Sequence, residues 1–361
     1  MTKCPDPDFW GGKKVLVTGH TGFKGSWLSV MLHALGAEVT GISLSPNTDP
    51  SLYYLADVRG SLQSEYVLDI RHRTDLRLAL LEVQPAVVFH LAAQPLVRES
   101  YVDPLGTLST NILGTANLLD AIRECGSVKE VISVTSDKVY RNREWVYPYR
   151  ESDMLGGRDP YSASKACAEH VTYSFASSYL AELGVSVATA RAGNVIGGGD
   201  WSHERLIPDV VRALAKGHPL ELRNPVASRP WQHVLDCNLG YLLLAEYLSE
   251  PAAQRVPMTT WNFGPATEDA VTTAQLVRML TSALRADVSV THSSRSPFPE
   301  AMQLQLDSSK ARRLLGWEPR FTLQRAIEVT GTWYSAWLNG ADMTDMTRRQ
   351  VTSFLQIESV P

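Results

Sequence analysis

The first 190 residues alternate short apolar runs with longer helical patterns, and that alternation restricts the chain to one class of fold. Lys14 to Thr18, Glu38 to Leu44, Tyr66 to Leu68, Ala86 to Leu91, Val131 to Val134 and Val185 to Ala190 have strand length and β-branched or apolar content. Between them the spacing predicts an amphipathic helix through Trp27, Leu28, Val30, Met31 and Leu35. Another runs through Leu76, Leu80 and Leu81, and long helices cover Asp103 to Cys125 and Tyr161 to Leu183. Strand-helix-strand units with right-handed crossovers build a parallel sheet covered by helices on both faces. The expected fold class is α/β, a doubly wound parallel sheet.

Charge and cysteine content narrow the function classes. With 34 Lys and Arg against 38 Asp and Glu among 361 residues, the formal charge is -4, and no long basic run occurs. Nucleic acid is therefore not the expected partner. Cys4, Cys125, Cys167 and Cys237 are scattered with no Cys-x-x-Cys spacing, which predicts free thiols, a reducing compartment and no zinc site. The start of the chain carries Pro5, Asp6, Pro7 and Asp8 where a signal peptide needs an apolar run, and no apolar stretch of about 18 residues follows. A soluble, cytoplasmic protein without a membrane partner is expected.

Ligands of doubly wound sheets bind at the carboxyl ends of the strands. Gly19, Gly22 and Gly25 fall between the first strand and its helix, where missing side chains let backbone amides approach a pyrophosphate. Their spacing is Gly-x-x-Gly-x-x-Gly. After the fifth strand come Thr135, Ser136, Asp137 and Lys138, and a helix then opens with Tyr161-Ser162-Ala163-Ser164-Lys165. Tyr161 and Lys165 are four apart and share a helix face, so the ammonium is expected to lower the phenol's pKa and make it a usable base.

Four motifs in order carry a resemblance over nearly the whole chain. They are Thr18-Gly19-His20-Thr21-Gly22-Phe23-Lys24-Gly25, His90-Leu91-Ala92-Ala93-Gln94, Asn111-Ile112-Leu113-Gly114-Thr115 and Tyr161-Ser162-Ala163-Ser164-Lys165. Together they resemble the extended short-chain dehydrogenase/reductases that act on nucleotide sugars. The resemblance implies a Rossmann-type domain over 12–190, to which 235–265 returns, and a smaller C-terminal substrate-binding domain over 191–234 and 266–361. It implies NAD as cofactor, held by Gly19, His20, Gly22, Phe23, Lys24, Gly25, Asp69, Ile70, Leu91, Ala92, Ala93, Gln94, Tyr161 and Lys165. Substrate contacts are expected from Gln94, Asn194, Arg205, Leu206 and Arg229, the arginines clamping a diphosphate. A homodimer through the two long helices, or a tetramer, is implied as well.

Within that family Tyr161 would take a proton from a sugar hydroxyl as hydride leaves the same carbon, with Lys165 and Ser136 as its helpers. An epimerase needs no more than this. A 4,6-dehydratase must also remove water across C5 and C6, for which Asp137 and Lys138 are the agents to hand. Dehydratases commonly carry Thr-Asp-Glu at this place, and Ser136-Asp137-Lys138 departs from that pattern. A lysine is not a base until it loses its proton, so either Lys138 gives up its proton, or it stays charged and steadies the C5 enolate while Asp137 moves the protons. The Ser-Asp-Lys version, with Gly197-Gly198-Gly199-Asp200-Trp201, is similar to that of the dehydratases acting on CDP-hexoses. The resemblance thus implies CDP-D-glucose as substrate and a route toward deoxysugars such as those of O-antigen. Another nucleotide, a 4-epimerase, and a cofactor-sensing binding protein remain as alternatives.

Two further expectations concern the ends of the site. The second strand runs into Ser43-Leu44-Ser45-Pro46-Asn47, with neither the acid that binds a ribose in NAD proteins nor the Arg of NADP proteins; NAD is therefore expected to be held loosely. In the C-terminal part, Val234 to Tyr247 reads as an amphipathic helix, Trp261 to Gly264 as a strand, and Thr273 to Leu284, Asp307 to Leu315 and Leu323 to Leu338 as helices. Trp333 and Trp337 are assigned to core packing.

Overall fold

Seven parallel strands place the glycine loop, the His90 motif and the Ser136-Asp137-Lys138 turn at the carboxyl ends of a single sheet. The computed structural model describes residues 3–222, 224–251, 260–265, 270–292 and 303–357. Its central strands are β1 (Lys14–Thr18), β2 (Glu38–Ser43), β3 (Ser64–Val67), β4 (Val87–His90), β5 (Glu130–Val134), β6 (Ser186–Ala192) and β7 (Thr260–Phe263). They lie in the order β7-β6-β5-β4-β1-β2-β3. The order reverses beside β1, between β1 and β4, which opens a crevice at the strands' carboxyl ends. Thr18 pairs with His90, and His90 with Ser133, so the three motif-bearing strands end level with one another.

Alternate side chains of each strand feed two cores. Val15 and Val17 of β1, with Phe89 and Ile132, join the core on the face covered by α1 (Phe23–Ala34) and α6 (Val234–Ser249). Leu16, Val88, Val131 and Val187 point to the opposite core, beneath α2 (Arg73–Val83) and α3 (Gly114–Glu124). Burial of a Leu or Val side chain contributes roughly 1.5–3 kcal/mol, and the alternation therefore fixes the register strongly.

Neither α1 nor α6 is amphipathic, contrary to the reading from spacing. Gly25 through Leu32 are all buried in α1, and Val234 through Leu248 in α6. The reason is a third layer: α9 (Met343–Leu355) packs on α1, and the helix Ser309–Leu315 packs on α6. A helix covered on both sides has no solvent face to mark with polar residues. The helix expected over 103–125 is also modified. It runs as Pro104–Leu108, a π-type turn at Ser109–Leu113, and α3. The 161–183 helix is α4 (Pro160–Phe175), ending in a π-type turn at Ala176–Leu180.

Beyond β6 the chain builds a smaller layer over the strand ends. Three short strand pairs join Val195–Ile196 to Gln232–His233, Ser228–Pro230 to Ala270–Thr272, and Leu220–Leu222 to Val290–His292. They are braced by α5 (Leu206–Lys216), α7 (Thr273–Leu284) and α8 (Leu323–Leu338). Val195, Ile207, Val210, Leu220, Leu276 and Leu280 belong to the same core as Trp27 and Phe89, so the apolar interior runs from one layer into the other without a break. β7 joins the central sheet beside β6. Parts of the expected domain ranges, at 252–259, 266–269, 293–302 and 358–361, lie outside the described residues. Trp333 is fully buried, donating to Thr347 Oγ1 at 2.9 Å, while the Trp337 ring lies 4.5 Å from that of Trp201. Among the described residues no helix is long and apolar enough to cross a membrane.

Candidate functional site

A cleft of about 1100 Å³ runs along the strand ends, above the usual range for one small ligand. Its first wall is the glycine loop. Gly19 adopts φ +78°, and a Cβ there would come within 2.7 Å of the Ala92 amide nitrogen; a Cβ on Gly25 would collide with the Gly19 carbonyl. Only hydrogen atoms fit between the two loops. α1 starts at Phe23 with Gly22 as its N-cap and no side chain bonded to its first amides, so those donors and the positive helix end are available to an anion. Gly19, Gly22, Phe23, Lys24 and Gly25 line the cleft here, faced by Asp69, Ile70, Leu91, Ala92 and Ala93. This is a cradle that fits the pyrophosphate of a dinucleotide.

Two residues assigned to that cradle stand elsewhere. The His20 side chain is fully buried and turned beneath the loop, its Nε2 2.6 Å from Glu65 Oε1 and its ring packed on Gly41. Burial lowers its pKa despite that carboxylate. Gln94 folds back instead of reaching into the cleft: its amide donates to Leu96 O at 3.0 Å and Thr107 Oγ1 at 2.8 Å, and accepts from Leu96 N. His20 is taken up by a carboxylate and Gln94 by neighbouring backbone and hydroxyl groups, and a linear motif does not distinguish that from ligand contact. Lys24 reaches inward, 3.5 Å from the Tyr241 hydroxyl.

At the end of β2, Ser43, Leu44, Ser45 and Asn47 line the cleft without a carboxylate. Thr21 Oγ1 ties the glycine loop to this strand end, 2.8 Å from Ser43 Oγ and 2.9 Å from Leu44 O. The carboxylate of Asp69 is held by Arg71 at 2.6 Å, whose guanidinium keeps it below the ordinary carboxylate range.

The cleft's centre brings together the other motif groups. Asp159 caps α4, accepting from Ser162 N at 2.9 Å, and Pro160 follows at the first helical position, where its missing N–H has no helix bond to lose. This fixes where Tyr161 enters the cleft; its amide donates to Ser100 Oγ at 3.1 Å. Ser136 at the end of β5 donates to Asp137 Oδ1 at 3.0 Å, accepts from Lys138 N at 3.2 Å, and stands close enough to the Tyr161 phenol to lower its pKa. Asp137 is 3% exposed, and its Oδ1 lies 4.0 Å from Lys138 Nζ. Ser136, Asp137, Lys138, Tyr161 and Lys165 all line the same cleft.

The expected depression of the Tyr161 pKa is not found. Burial pushes the phenol up to about 12, and the nearby Ser136 only partly offsets this. Lys165 is held instead by the Val134 carbonyl at 3.2 Å, and burial followed by the charge of Lys24 lowers it to about 8. Helical spacing gives a shared face, but the partner an ammonium chooses on that face is set by the strand beneath it.

The third wall comes from the smaller layer. Asn194, at φ +45°, has its Nδ2 buried without a partner among the described residues. Arg205 precedes α5 and pairs with Asp200 at 3.3 Å, and Leu206 follows it. Arg229 lies on the short strand Ser228–Pro230 and donates to Ser228 O at 3.0 Å. All four line the cleft, with Trp201, Trp231 and Leu220–Leu222 beside them. Arg98 and Glu204, also in the lining, pair at 2.9 Å across this end.

Several contributing residues received no role from the sequence. Gly193 makes room for Asp137, since a Cβ there would collide with the carboxylate. Behind the cleft Glu169 and Arg191 form a buried ion pair at 2.9 Å. The signal for Arg191 was its position as the one charge in the strand-like run Val187-Ala188-Thr189-Ala190-Arg191-Ala192, where a charge must find a buried partner. Glu169 lies one helical turn beyond Lys165.

Comparison with known proteins agrees with this geometry. The profile of the GDP-mannose 4,6 dehydratase family matches residues 16–330. The CDP-glucose 4,6-dehydratase of Salmonella typhimurium is 44% identical over 355 residues, covering 97% of this chain and 98% of that protein. The crystal structure of DesIV, a dTDP-glucose 4,6-dehydratase from Streptomyces venezuelae with NAD bound, is similar with a TM-score of 0.75 and 27% identity, covering 91% of this chain and 98% of that one. The UDP-glucose 4-epimerase of Thermotoga maritima shares the fold, with a TM-score of 0.78, 24% identity, and coverage of 90% and 99%.

Proposed function

Because the chain belongs to the GDP-mannose 4,6 dehydratase family, we propose that it is a hydro-lyase that converts CDP-D-glucose to CDP-4-dehydro-6-deoxy-D-glucose. The observation that carries this reading is the position of Asp137 and Lys138 in the lining of the cleft that also holds Tyr161. An epimerase has no use for them, and a binding protein has no use for Tyr161 with Lys165. The 44% identity to a CDP-glucose enzyme supports the choice of nucleotide.

NAD, when bound, supplies a hydride acceptor for C4 and later a hydride donor for C6. Its adenosine end fits the wall formed by Gly19, Gly22, Asp69 and Ile70, and its nicotinamide end the region of Lys165. Tyr161, as the phenolate that Lys165 steadies, takes the proton of the C4 hydroxyl and becomes the neutral phenol, with Ser136 holding the same substrate oxygen. Its high pKa makes the phenol a strong base once ionised and keeps it protonated until that charge is compensated. The C4 carbonyl acidifies C5–H. The Asp137–Lys138 pair then removes that proton and delivers one to the departing C6 hydroxyl, releasing water. A hydride returned to C6 and a proton returned to C5 would complete a redox-neutral cycle. Asn194, Arg205, Leu206 and Arg229 hold the nucleoside diphosphate.

Incubation with CDP-, UDP-, GDP- and dTDP-hexoses plus NAD, followed by mass, tests this directly. Loss of one water from CDP-glucose is expected; loss from another nucleotide, or isomerisation without mass change, overturns it. The end of β2 lacks a carboxylate, which supports loose retention of NAD, so activity should depend on added NAD. Cys4, Cys125, Cys167 and Cys237 are free thiols, which fits a reducing cytoplasm. Val102, Leu105, Leu113 and Tyr173 are exposed on the helices before α3 and on α4, which supports a homodimer through that face. Light scattering after size exclusion tests it, a monomer being the contrary result.

A further inference from the structure

Behind the catalytic strand end lies a buried polar network that no part of the chemistry above uses. Glu169 sits on α4, two turns after Tyr161, and is 4% exposed; Arg191 sits on β6 and is 2% exposed. The pair is bidentate. Arg191 Nε donates to Glu169 Oε1 and Nη2 to Oε2, both at 2.9 Å. The carboxylate also accepts from Thr135 Oγ1 at 2.5 Å and from Thr189 Oγ1 at 2.8 Å. On its other side, Arg191 Nη1 donates to the Tyr140 hydroxyl at 2.7 Å and to Glu151 O at 3.3 Å. Tyr140 donates in turn to Asn262 Oδ1 on β7 at 2.7 Å, and the guanidinium carbon lies 4.7 Å from the centre of the Tyr140 ring.

The endpoints of this network are informative. Thr135 immediately precedes Ser136, and Tyr140 ends the short turn Asp137–Val139. The three groups Ser136, Asp137 and Lys138 are therefore bracketed by two side chains that both anchor to one ion pair. The acidic half of that pair belongs to the helix that carries Tyr161 and Lys165. Burying two charges is expensive, and an apolar pair of similar size often serves stability as well. Stability alone therefore gives no reason for this arrangement. Its geometry does give one: it connects the oxidising pair on α4 to the elimination pair after β5.

We propose that Glu169, Arg191, Tyr140 and Thr135 form a positioning network that sets the Ser136-Asp137-Lys138 strand end against Tyr161 on α4, so that oxidation and elimination act on one sugar pose. The inference rests on the dehydratase reading. Tyr140 and Thr135 hold opposite ends of the segment, so loosening each affects a different step. In Tyr140→Phe the ring stays packed but the hydroxyl bonds to Arg191 and Asn262 are lost, releasing the Asp137–Lys138 side. In Thr135→Val the bond to Glu169 is lost next to Ser136, on the side of the phenol.

The test measures two steps in the NAD-loaded enzyme with CDP-glucose: substrate-dependent absorbance at 340 nm for oxidation, and solvent deuterium incorporation at C5 for proton abstraction. For Tyr140→Phe, the ratio of C5 exchange to oxidation should fall at least fivefold with KM changed less than twofold. For Thr135→Val, oxidation should fall at least fivefold. A purely structural role moves both steps in parallel or only the melting temperature. Parallel loss of both steps in Tyr140→Phe, or unchanged oxidation in Thr135→Val, overturns the proposal; if Tyr140→Phe does not fold, Thr135→Ser, which keeps the hydroxyl, must restore the oxidation that Thr135→Val loses, and failure to restore it overturns the proposal. Wild-type protein that oxidises and dehydrates no CDP-glucose refutes the dehydratase reading instead.

Discussion

The two ends of the cleft are built on different principles. At the end proposed to be catalytic, Ser136, Asp137, Tyr161 and Lys165 are all less than a tenth exposed, the first two just after β5 and the others in the opening turns of α4. At the end proposed to hold the nucleotide, Arg205 and Arg229 are partly exposed, on a helix cap and a three-residue strand. Displacing a group that transfers protons by an ångström is severe for rate, whereas a phosphate contact tolerates adjustment of a long side chain. The contrast predicts that substitutions at the first end act on turnover and those at the second on affinity.

The largest effect is expected for Lys138→Ala. C5 deuterium exchange should fall by about 10²–10⁴ while substrate-dependent cofactor reduction survives; loss of both would erase the separation between the two chemical steps. Next comes Gly193→Ala, which pushes a methyl group into the space of the Asp137 carboxylate. Turnover should drop by on the order of tenfold to a hundredfold with KM near the wild-type value, as expected for displacement of a reacting group. Arg229→Ala should instead raise KM about tenfold, the size of one charged hydrogen bond, with kcat changed little. A matching loss of kcat there would mean that the two ends are not separate.

The smallest effect on rate is expected away from both ends, at Asp236 in α6. Its carboxyl is fully buried, accepts from Arg320 N at 2.6 Å, and is raised by that burial to about 7. An unfolded Asp titrates near 3.9, so between about 4 and about 7 the folded protein holds a proton that the unfolded chain has released. This contribution to stability is complete below about 4 and is lost as pH rises through about 7. Asp236→Asn should remove that slope from thermal unfolding measured between pH 5 and pH 8 and leave KM unaltered. An unchanged slope would show that another group is responsible.

How much was readable beforehand follows from which residues carry local signals. β1, β4 and β5 announced themselves because buried parallel strands are continuous apolar runs. The helix start at Tyr161 was read one residue late, although Asp159 and Pro160, which cap it, are themselves helix-start signals. α9 and α5 were not read, because α9 is largely polar with few apolar anchors and α5 begins within a motif taken for a clamp. His20 and Gln94 were drawn into the ligand site since they stand inside motifs whose neighbours do line it. Their side chains point the other way, toward Glu65 and Thr107.

The sequence by itself determined the alternation of elements, the sheet they form, and the glycine loop and the Ser136-Asp137-Lys138 and Tyr161-Lys165 groups at the strand ends, because periodicity and capping are properties of neighbours in the chain. Only the tertiary structure decided which partner each polar group takes. Tyr161 rises to about 12 under burial, Lys165 turns to the Val134 carbonyl, and Glu169 meets Arg191 from 22 residues away. Burial and pairing depend on what the other layers bring to the same point in space, and no window along the chain contains that information.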